Sequence, residues 1–279
     1  MTNIIILSAN SFLARKFIKY CKFKKAGFRF YIFTRKPRFK NHYPYGELKK
    51  VLEQVREGFI LNFAGANVFR VLISFKSMKE KNVLIWESRI EFTRKIMEEI
   101  KDIANNFVFF IPSAVWVYSP YLQDCFLQWE STVKNYRYLI YRLGIVLSYE
   151  SQWVKVLSEM LKVGVYPVFP CNFLFPFVYL EDFLENLFID IVNFSKSKVV
   201  NLFKIDSFNN FVKCLNDNLV RQKFFIKIPD FLSGWFLKMV FGSYGKVFDT
   251  LEFMDNIKEW SQMEEGLCST FQQKMKINF

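Results

Sequence analysis

The most constraining feature of this chain is an apolar run at its start that passes, through a tight turn, into a helix and a second apolar run. Asn3-Ile4-Ile5-Ile6-Leu7 is almost wholly apolar, as a strand buried on both faces of a parallel sheet must be. Ser8-Ala9-Asn10-Ser11-Phe12-Leu13-Ala14 then turns into a helix predicted to reach about residue 24, with Gly27 closing it. Phe28-Arg29-Phe30-Tyr31-Ile32-Phe33 reads as the second strand, ending at Thr34-Arg35-Lys36.

This is the layout of a dinucleotide-binding βαβ unit, whose phosphate turn reads G-x-x-G-x-x-G or G-x-G-x-x-G. The three glycine positions of the first form fall on Ser8, Ser11 and Ala14. In such turns the first glycine permits the tight bend, the second lets backbone amides reach the pyrophosphate, and the third lets helix pack on strand. Alanine meets the third need. Ser8 and Ser11 each bring a Cβ, and a positive φ at either costs on the order of 1 kcal/mol or more. The helix start still offers N–H groups and partial positive charge to an anion, so the expectation is weakened binding at residues 8–13. The competing reading is a turn that only joins strand to helix, with Ser8 or Asn10 as its cap.

Length and composition narrow the class. A chain of 279 residues buries a core as one large or two unequal domains. Its 52% apolar content, with 35 Phe, excludes a disordered protein. No apolar run reaches the roughly 18 residues of a membrane span, and no basic segment precedes the first apolar run as in a secretory signal. The five cysteines (Cys21, Cys125, Cys171, Cys214, Cys268) include no CxxC pair, so a reduced, cytoplasmic protein without a metal cage is expected. His42 is the single histidine, which excludes His-rich metal sites and argues against a Ser-His-Asp triad.

The net charge of +13 is concentrated at the start, where residues 1–60 hold fourteen Lys or Arg against three acids. A basic lobe attracts phosphorylated ligands or nucleic acid. Nucleic acid is the less favoured partner, because the aromatic residues there alternate like core positions and form no stacking platform. Arg15, Lys16, Lys19 and Lys22 read as a solvated helix face. Arg35 and Lys36 stand apart. NAD enzymes keep an acid after the second strand for the ribose 2′-OH, and a cation there suits a 2′-phosphate. The alternative is a basic strand end facing water.

Further along, Gly58-Phe59-Ile60-Leu61-Asn62-Phe63 reads as a buried strand leading into the small-residue loop Ala64-Gly65-Ala66. A long helix is predicted over 79–103, with Ile85, Ile90, Ile96 and Ile100 near one stripe. A core strand over 107–111 precedes Pro112-Ser113-Ala114, then a helix over 124–134 and a strand over 138–146. Beyond this come helices over 153–161, 181–192, 208–219 and 231–240, short strands over 199–203 and 225–228, and a passage holding Pro167, Pro170 and Pro176. The alternation predicts an α/β protein: a Rossmann-like doubly wound parallel sheet with a small C-terminal α+β substrate lobe. The predicted domains are 1–150 for nucleotide binding and 151–279 for the substrate lobe, partly interleaved. Ligands of such sheets sit outside the carboxyl ends of the strands, which groups residues 8–13, Arg35, 64–67 and 113–118 around one crevice.

Several segments, taken in order over residues 1–250, resemble a known family. They are residues 7–14, Phe33-Thr34-Arg35, Leu61-Asn62-Phe63-Ala64-Gly65-Ala66 and Glu87-Ser88-Arg89-Ile90-Glu91-Phe92-Thr93-Arg94. They continue with Pro112-Ser113-Ala114-Val115, Trp129-Glu130, Tyr141-Arg142-Leu143-Gly144-Ile145-Val146-Leu147 and Phe177-Val178-Tyr179-Leu180-Glu181-Asp182. The pattern resembles the extended short-chain dehydrogenase/reductase superfamily, and within it the "epimerase family protein" subgroup. The resemblance implies an NADP(H)-binding domain followed by a small substrate lobe, for a small-molecule substrate, nucleotide-linked or other. It assigns cofactor binding to Ser8, Asn10, Ser11, Phe12, Leu13, Arg35, Lys36, Ala64, Gly65 and Ala66.

The catalytic half of the resemblance is altered. Superfamily members use Tyr-x-x-x-Lys, the lysine helping the phenol move a proton. The matching helix reads Phe126-Leu127-Gln128-Trp129-Glu130, with no phenol and the opposite charge. The subgroup carries Cys-x-x-Trp-Glu in its place, and Cys125 lies one residue from that match. The family serine falls on Ser113 or, one residue out, on Ala114. Tyr118 is the nearest phenol and reads either as a substitute or as an aromatic packing residue. Arg89 and Glu91 face the crevice in the family, or pair structurally. The expectation is an NADP(H)-dependent epimerase or oxidoreductase with Ser113 and Tyr118 polarising a substrate oxygen. The alternative is a catalytically inactive relative that serves as a nucleotide sensor or protein-interaction scaffold.

Overall fold

The computed structural model describes residues 1–220 apart from 9, 38, 67–70, 72–73, 75–76, 119–121 and 167–173, together with 226–227. β1 (Thr2–Leu7) has its last four residues at most 1% exposed, as its apolar run demands. α1 (Phe12–Phe23) buries Ala14, Phe17, Tyr20 and Cys21 at helical spacing and returns the chain to β2 (Phe28–Phe33), parallel to β1. The short β3 (His42–Tyr43) adds to the outer edge of β2, and α2 (Leu48–Val55) leads to β4 (Gly58–Asn62). α3 (Met78–Trp86), a π turn over Glu87–Glu91 and α4 (Phe92–Ile100) follow. β5 (Phe107–Ala114), α5 (Gln123–Ser131) and β6 (Arg137–Leu143) complete this half.

β7 (Ile145–Leu147), α6 (Gln152–Lys162), β8 (Val165–Tyr166), β9 (Leu174–Tyr179) and α7 (Leu180–Val192) come next. β10 (Lys198–Leu202), β11 (Lys204–Ser207), α8 (Phe208–Leu215) and β12 (Ile226–Lys227) close the described chain. The main sheet has seven parallel strands in the order β10-β6-β5-β4-β1-β2-β3. The order reverses between β1 and β4, which is where a crevice opens beyond the strand ends. One face is packed by α1 and α7, around Phe17, Phe110, Tyr141 and Phe183. The other carries Ile90, Ile96 and Ile100 of the long helix with Phe126 and Trp129 of α5. The α/β, doubly wound expectation is met.

The structure departs from the sequence reading at several points. β5 runs three residues further than expected, so Pro112, Ser113 and Ala114 are strand residues. The predicted strand over 138–146 breaks at Gly144, where a Cβ would sit 2.7 Å from the Phe177 amide nitrogen. β6 stays in the main sheet while β7 leaves it to pair with β9 in a three-stranded sheet, β11-β9-β7. Pro176 lies inside β9, one position ahead of the first β7 pairing at Phe177, so its missing N–H interrupts no β7–β9 ladder pair. Lys25 (φ +51), and not Gly27, takes the left-handed turn after α1. Lys16 is no solvated residue: it is 8% exposed and its ammonium pairs with Glu150 beyond β7. Cys21 and Cys125 are free thiols, whereas Cys214 is disulfide-bonded, which departs from a wholly reduced set. The helix expected over 231–240, Asn67, and the passage around Pro167 and Pro170 lie outside the described residues.

Candidate functional site

The carboxyl ends of β1, β2 and β4 build the first part of the site. Ser8 leaves β1 with φ +73, the left-handed conformation that the missing glycine would supply. Its N–H donates to the Phe33 carbonyl at 3.1 Å and its carbonyl accepts from Ser11 N–H at 3.1 Å, so the turn is fixed from both sides. Ser11 sits at the helix N-cap in extended geometry (φ −60, ψ 140), and its hydroxyl makes no capping bond. The N-cap position thus falls on Ser11, and not on Ser8 or Asn10. The first turn of α1 also holds no acid, leaving its amides for another acceptor.

Phe12 and Leu13 pack against the α1–α7 face of the core, and Asn10 is exposed. Just past β2, Thr34 is buried while Arg35 and Lys36 are exposed. Tyr45, a residue that sequence reading passed over, stands beside Ser8 and Arg35. Burial raises its hydroxyl pKa, and a hydrogen bond from the Ser8 backbone and the charge of Arg35 pull against that rise.

The β4 end forms the second part. Asn62 is buried; its Oδ1 accepts from Ala64 N–H at 3.1 Å and its Nδ2 donates to Thr93 Oγ1 at 2.9 Å. Thr93 also accepts from Trp129 Nε1 at 3.0 Å and donates to the Arg89 carbonyl, which ties β4, α4 and α5 together. Gly65 adopts φ +149 with the Arg89 guanidinium beneath it, 3.0 Å from where a Cβ would stand. Ala66 N–H donates to Ser88 Oγ at 3.0 Å and the Ala66 carbonyl accepts from Arg89 Nη2 at 3.0 Å. Arg89 and Glu91 do not pair; Glu91 accepts from Arg94 instead.

The third part is a buried polar chain across β5, β6 and β10. Register sets Ser113 beside Arg142 and Arg142 beside Asn201, one row across three neighbouring strands. Ser113, 1% exposed, donates to Glu130 Oε1 at 2.8 Å. Glu130 is wholly buried and takes a two-pronged contact from Arg142: Nε to Oε1 at 2.9 Å and Nη2 to Oε2 at 2.8 Å. Arg142 Nη1 donates to the Tyr118 hydroxyl at 3.0 Å, and that hydroxyl donates to Asn201 Oδ1 at 2.7 Å. The bond to Glu130 pushes the Arg142 pKa up, with that carboxylate's charge adding, against the effect of burial.

Chemically, the structure brings the two expected residues, Ser113 and Tyr118, into one network, but through groups that sequence reading did not assign. Glu130 occupies the lysine position and is neutralised by Arg142. Ser113 has one hydroxyl proton, and Glu130 takes it. Phe126, at the phenol position, is buried and has no proton to move. Arg142 and Asn201 were missed, although a charged residue inside the strand 137–143 is a signal that a buried acid awaits it. Among the described residues there is no His/Cys/Asp/Glu cluster able to hold a metal ion, and no helix long and apolar enough to cross a membrane.

An open parallel sheet whose order reverses at a tight strand-to-helix turn is the architecture of nucleotide-binding α/β proteins. More particularly, the fold is shared with solved structures of an epimerase family protein, a dehydratase and a reductase. The chain is similar to human epimerase family protein SDR39U1 (isoform 2), solved with NADPH, at 15% identity and a TM-score of 0.72, covering 98% of this chain and 99% of that one. It is similar to dTDP-glucose 4,6-dehydratase from Bacillus anthracis, solved with NAD (12% identity, TM-score 0.62, 93% and 98% covered). The dTDP-4-dehydrorhamnose reductase of the same organism, solved with NADP, matches at 14% identity and TM-score 0.62 over 82% and 85% of the two chains. No protein-family model and no curated protein matches the sequence.

Proposed function

We propose that this chain is an NADP(H)-binding protein of the epimerase/dehydratase type, acting on a small substrate in the crevice beyond β1, β4 and β5. The observation that carries this reading is Ser8 at φ +73: the turn keeps the backbone shape of a phosphate cradle without its glycine. The residues present fit a dinucleotide there. The amides of Phe12, Leu13 and Ala14 at the start of α1 offer donors to a diphosphate, and Arg35 offers a cation to a 2′-phosphate. Asn10, Phe12, Leu13 and Lys36 complete the turn and strand end, and Ala64, Gly65 and Ala66 form the opposite wall. The cofactor, when bound, supplies hydride chemistry. Of this chain's own groups, Tyr118 is the phenol placed to hold or move a proton, with Arg142 as the cation against its oxygen. Ser113 orients Glu130 and through it Arg142.

The test is a fluorescence titration of the purified chain with NADPH. Saturation with an affinity at least tenfold better than for NADH, the preference lost in Arg35→Ala, supports the reading. No saturable change at millimolar NADPH removes it.

A second reading keeps the nucleotide and drops the chemistry: a nucleotide sensor or interaction scaffold. The observation in its favour is that Glu130 is sealed in its pair with Arg142 while Phe126 fills the phenol position. Turnover of a sugar nucleotide or carbonyl compound that Tyr118→Phe abolishes eliminates this reading.

A further inference from the structure

The positive charge that the altered helix has lost at residue 130 reappears on the π turn between α3 and α4. Arg89 projects from that turn toward α5, with its guanidinium carbon 5.4 Å from the Trp129 ring centre and 6.0 Å from that of Phe126. π turns inside helices are rare and occur frequently at functional sites. A guanidinium has five N–H groups. Two are used here, Nη2 on the Ala66 carbonyl at 3.0 Å and Nη1 on Ser88 Oγ at 3.4 Å, whereas Nε is buried and bonded to nothing.

None of the ion pairs among the described residues involves Arg89, and Glu130, one turn from Phe126, is already spent on Arg142. The electrostatics carry the mark of this deficit: burial pulls the Arg89 pKa down to about 10, with the Cys125 thiol the group that opposes it. A buried cation without a counter-charge is an unfavourable arrangement that folds retain where a ligand completes it. Arg89 as a whole is intermediate in exposure, while its Nε is buried.

We propose that Arg89 is the anion-binding residue of the crevice, receiving a phosphate or carboxylate group beside the Gly65–Ala66 wall. The proposal rests on the nucleotide-binding reading for its place in the molecule, but its chemistry is independent of it. Two sources offer such an anion: the diphosphate of the cofactor, or an acidic group on the substrate. Either would give the fork-shaped guanidinium the charged partner that none of the described residues supplies.

The experiment is calorimetric titration of the full chain, wild type and Arg89→Met, with inorganic pyrophosphate, phosphate and NADPH, together with melting curves. Methionine keeps the stacking on Trp129 and removes the charge. The wild type is expected to bind pyrophosphate or phosphate, and Arg89→Met to bind it about 10- to 100-fold more weakly. The variant is expected to melt no lower than the wild type, because an uncompensated charge has been removed. If the anion is the cofactor's, NADPH weakens by the same factor while adenosine 2′-monophosphate, which lacks the diphosphate, does not. If it is the substrate's, NADPH affinity is unchanged and phosphate binding to the NADPH-saturated protein is lost.

Arg89→Lys, which keeps charge without the fork, should fall between the two and carries the test if the methionine variant does not fold. Wild type that binds neither pyrophosphate nor phosphate overturns the proposal. So does an Arg89→Met protein that binds them normally and melts lower, as a purely structural arginine would. A wild type that binds pyrophosphate through Arg89 but not NADPH would remove the cofactor reading and leave this site standing.

Discussion

The turn after β1 and the polar row across β5, β6 and β10 have both lost the residues that the resemblance leads one to expect, with opposite results. At the turn, Ser8 stands where glycine is expected and still adopts the left-handed conformation, φ +73, that a glycine would take there. In the polar row, Glu130 and Phe126 stand where the resemblance leads one to expect lysine and tyrosine, and the hydrogen bonding differs with them: Arg142 pairs with Glu130 and donates to the Tyr118 hydroxyl. A site made of backbone tolerates side-chain change at the cost of some strain. A site made of side chains changes its chemistry when they change.

The largest effect that can break this comparison is at Arg142. Arg142→Met leaves Glu130 buried with Lys134 at 3.8 Å as its remaining cation, and should cost about 3–5 kcal/mol in urea unfolding. Replacing both partners, as Arg142→Met with Glu130→Met, should recover most of that loss. A single variant as stable as the wild type would show that the pair does not organise the row. Next in size, Tyr118→Phe removes the hydroxyl shared by Arg142 and Asn201, and about 1–2 kcal/mol of stability is expected to go with it.

At the turn, Ser8→Gly exchanges left-handed strain for chain entropy and should leave stability unchanged or raise it by up to about 1 kcal/mol. It should also tighten NADPH binding. Weaker binding in this variant would mean that the serine hydroxyl, and not the backbone, is what matters there. The smallest effect concerns Glu150, whose pKa is held below the usual carboxylate range chiefly by its hydrogen bond from Lys16. Its contribution is present above the unfolded carboxylate value and lost as pH falls through the lowered folded one. Being half-exposed, it should amount to less than about 1 kcal/mol. Comparing melting of Glu150→Gln and wild type between pH 7 and pH 3 checks this: the two curves should converge at low pH.

Much of the fold was legible because it is written in local patterns. The isoleucines of β1, the helical stripe of Ile85, Ile90, Ile96 and Ile100, and the Phe-rich β5 each declare a buried face by period alone. Less visible were α2, with only Leu48, Val51 and Leu52 as its buried face, and β9, where Pro176 reads as a breaker. Pro176 lies opposite Ile205 of β11 and one residue before the pairing with β7 begins, facts of register that no local pattern contains.

The site divides in the same way. Ser8, Ser11, Arg35 and Ser113 could be set at strand ends from sequence because their offsets from the apolar runs are local, whereas the positive φ at Ser8 is seen only in the structure. The partnership of Glu130 with Arg142, twelve residues away, and of Tyr118 with Asn201, eighty-three away, was decided only when parallel strands set them side by side. The same holds for the unpaired charge of Arg89. Sequence fixes which residues carry charge and how each segment repeats. Which charges meet depends on distances across the sheet, and those exist only once the strands are paired.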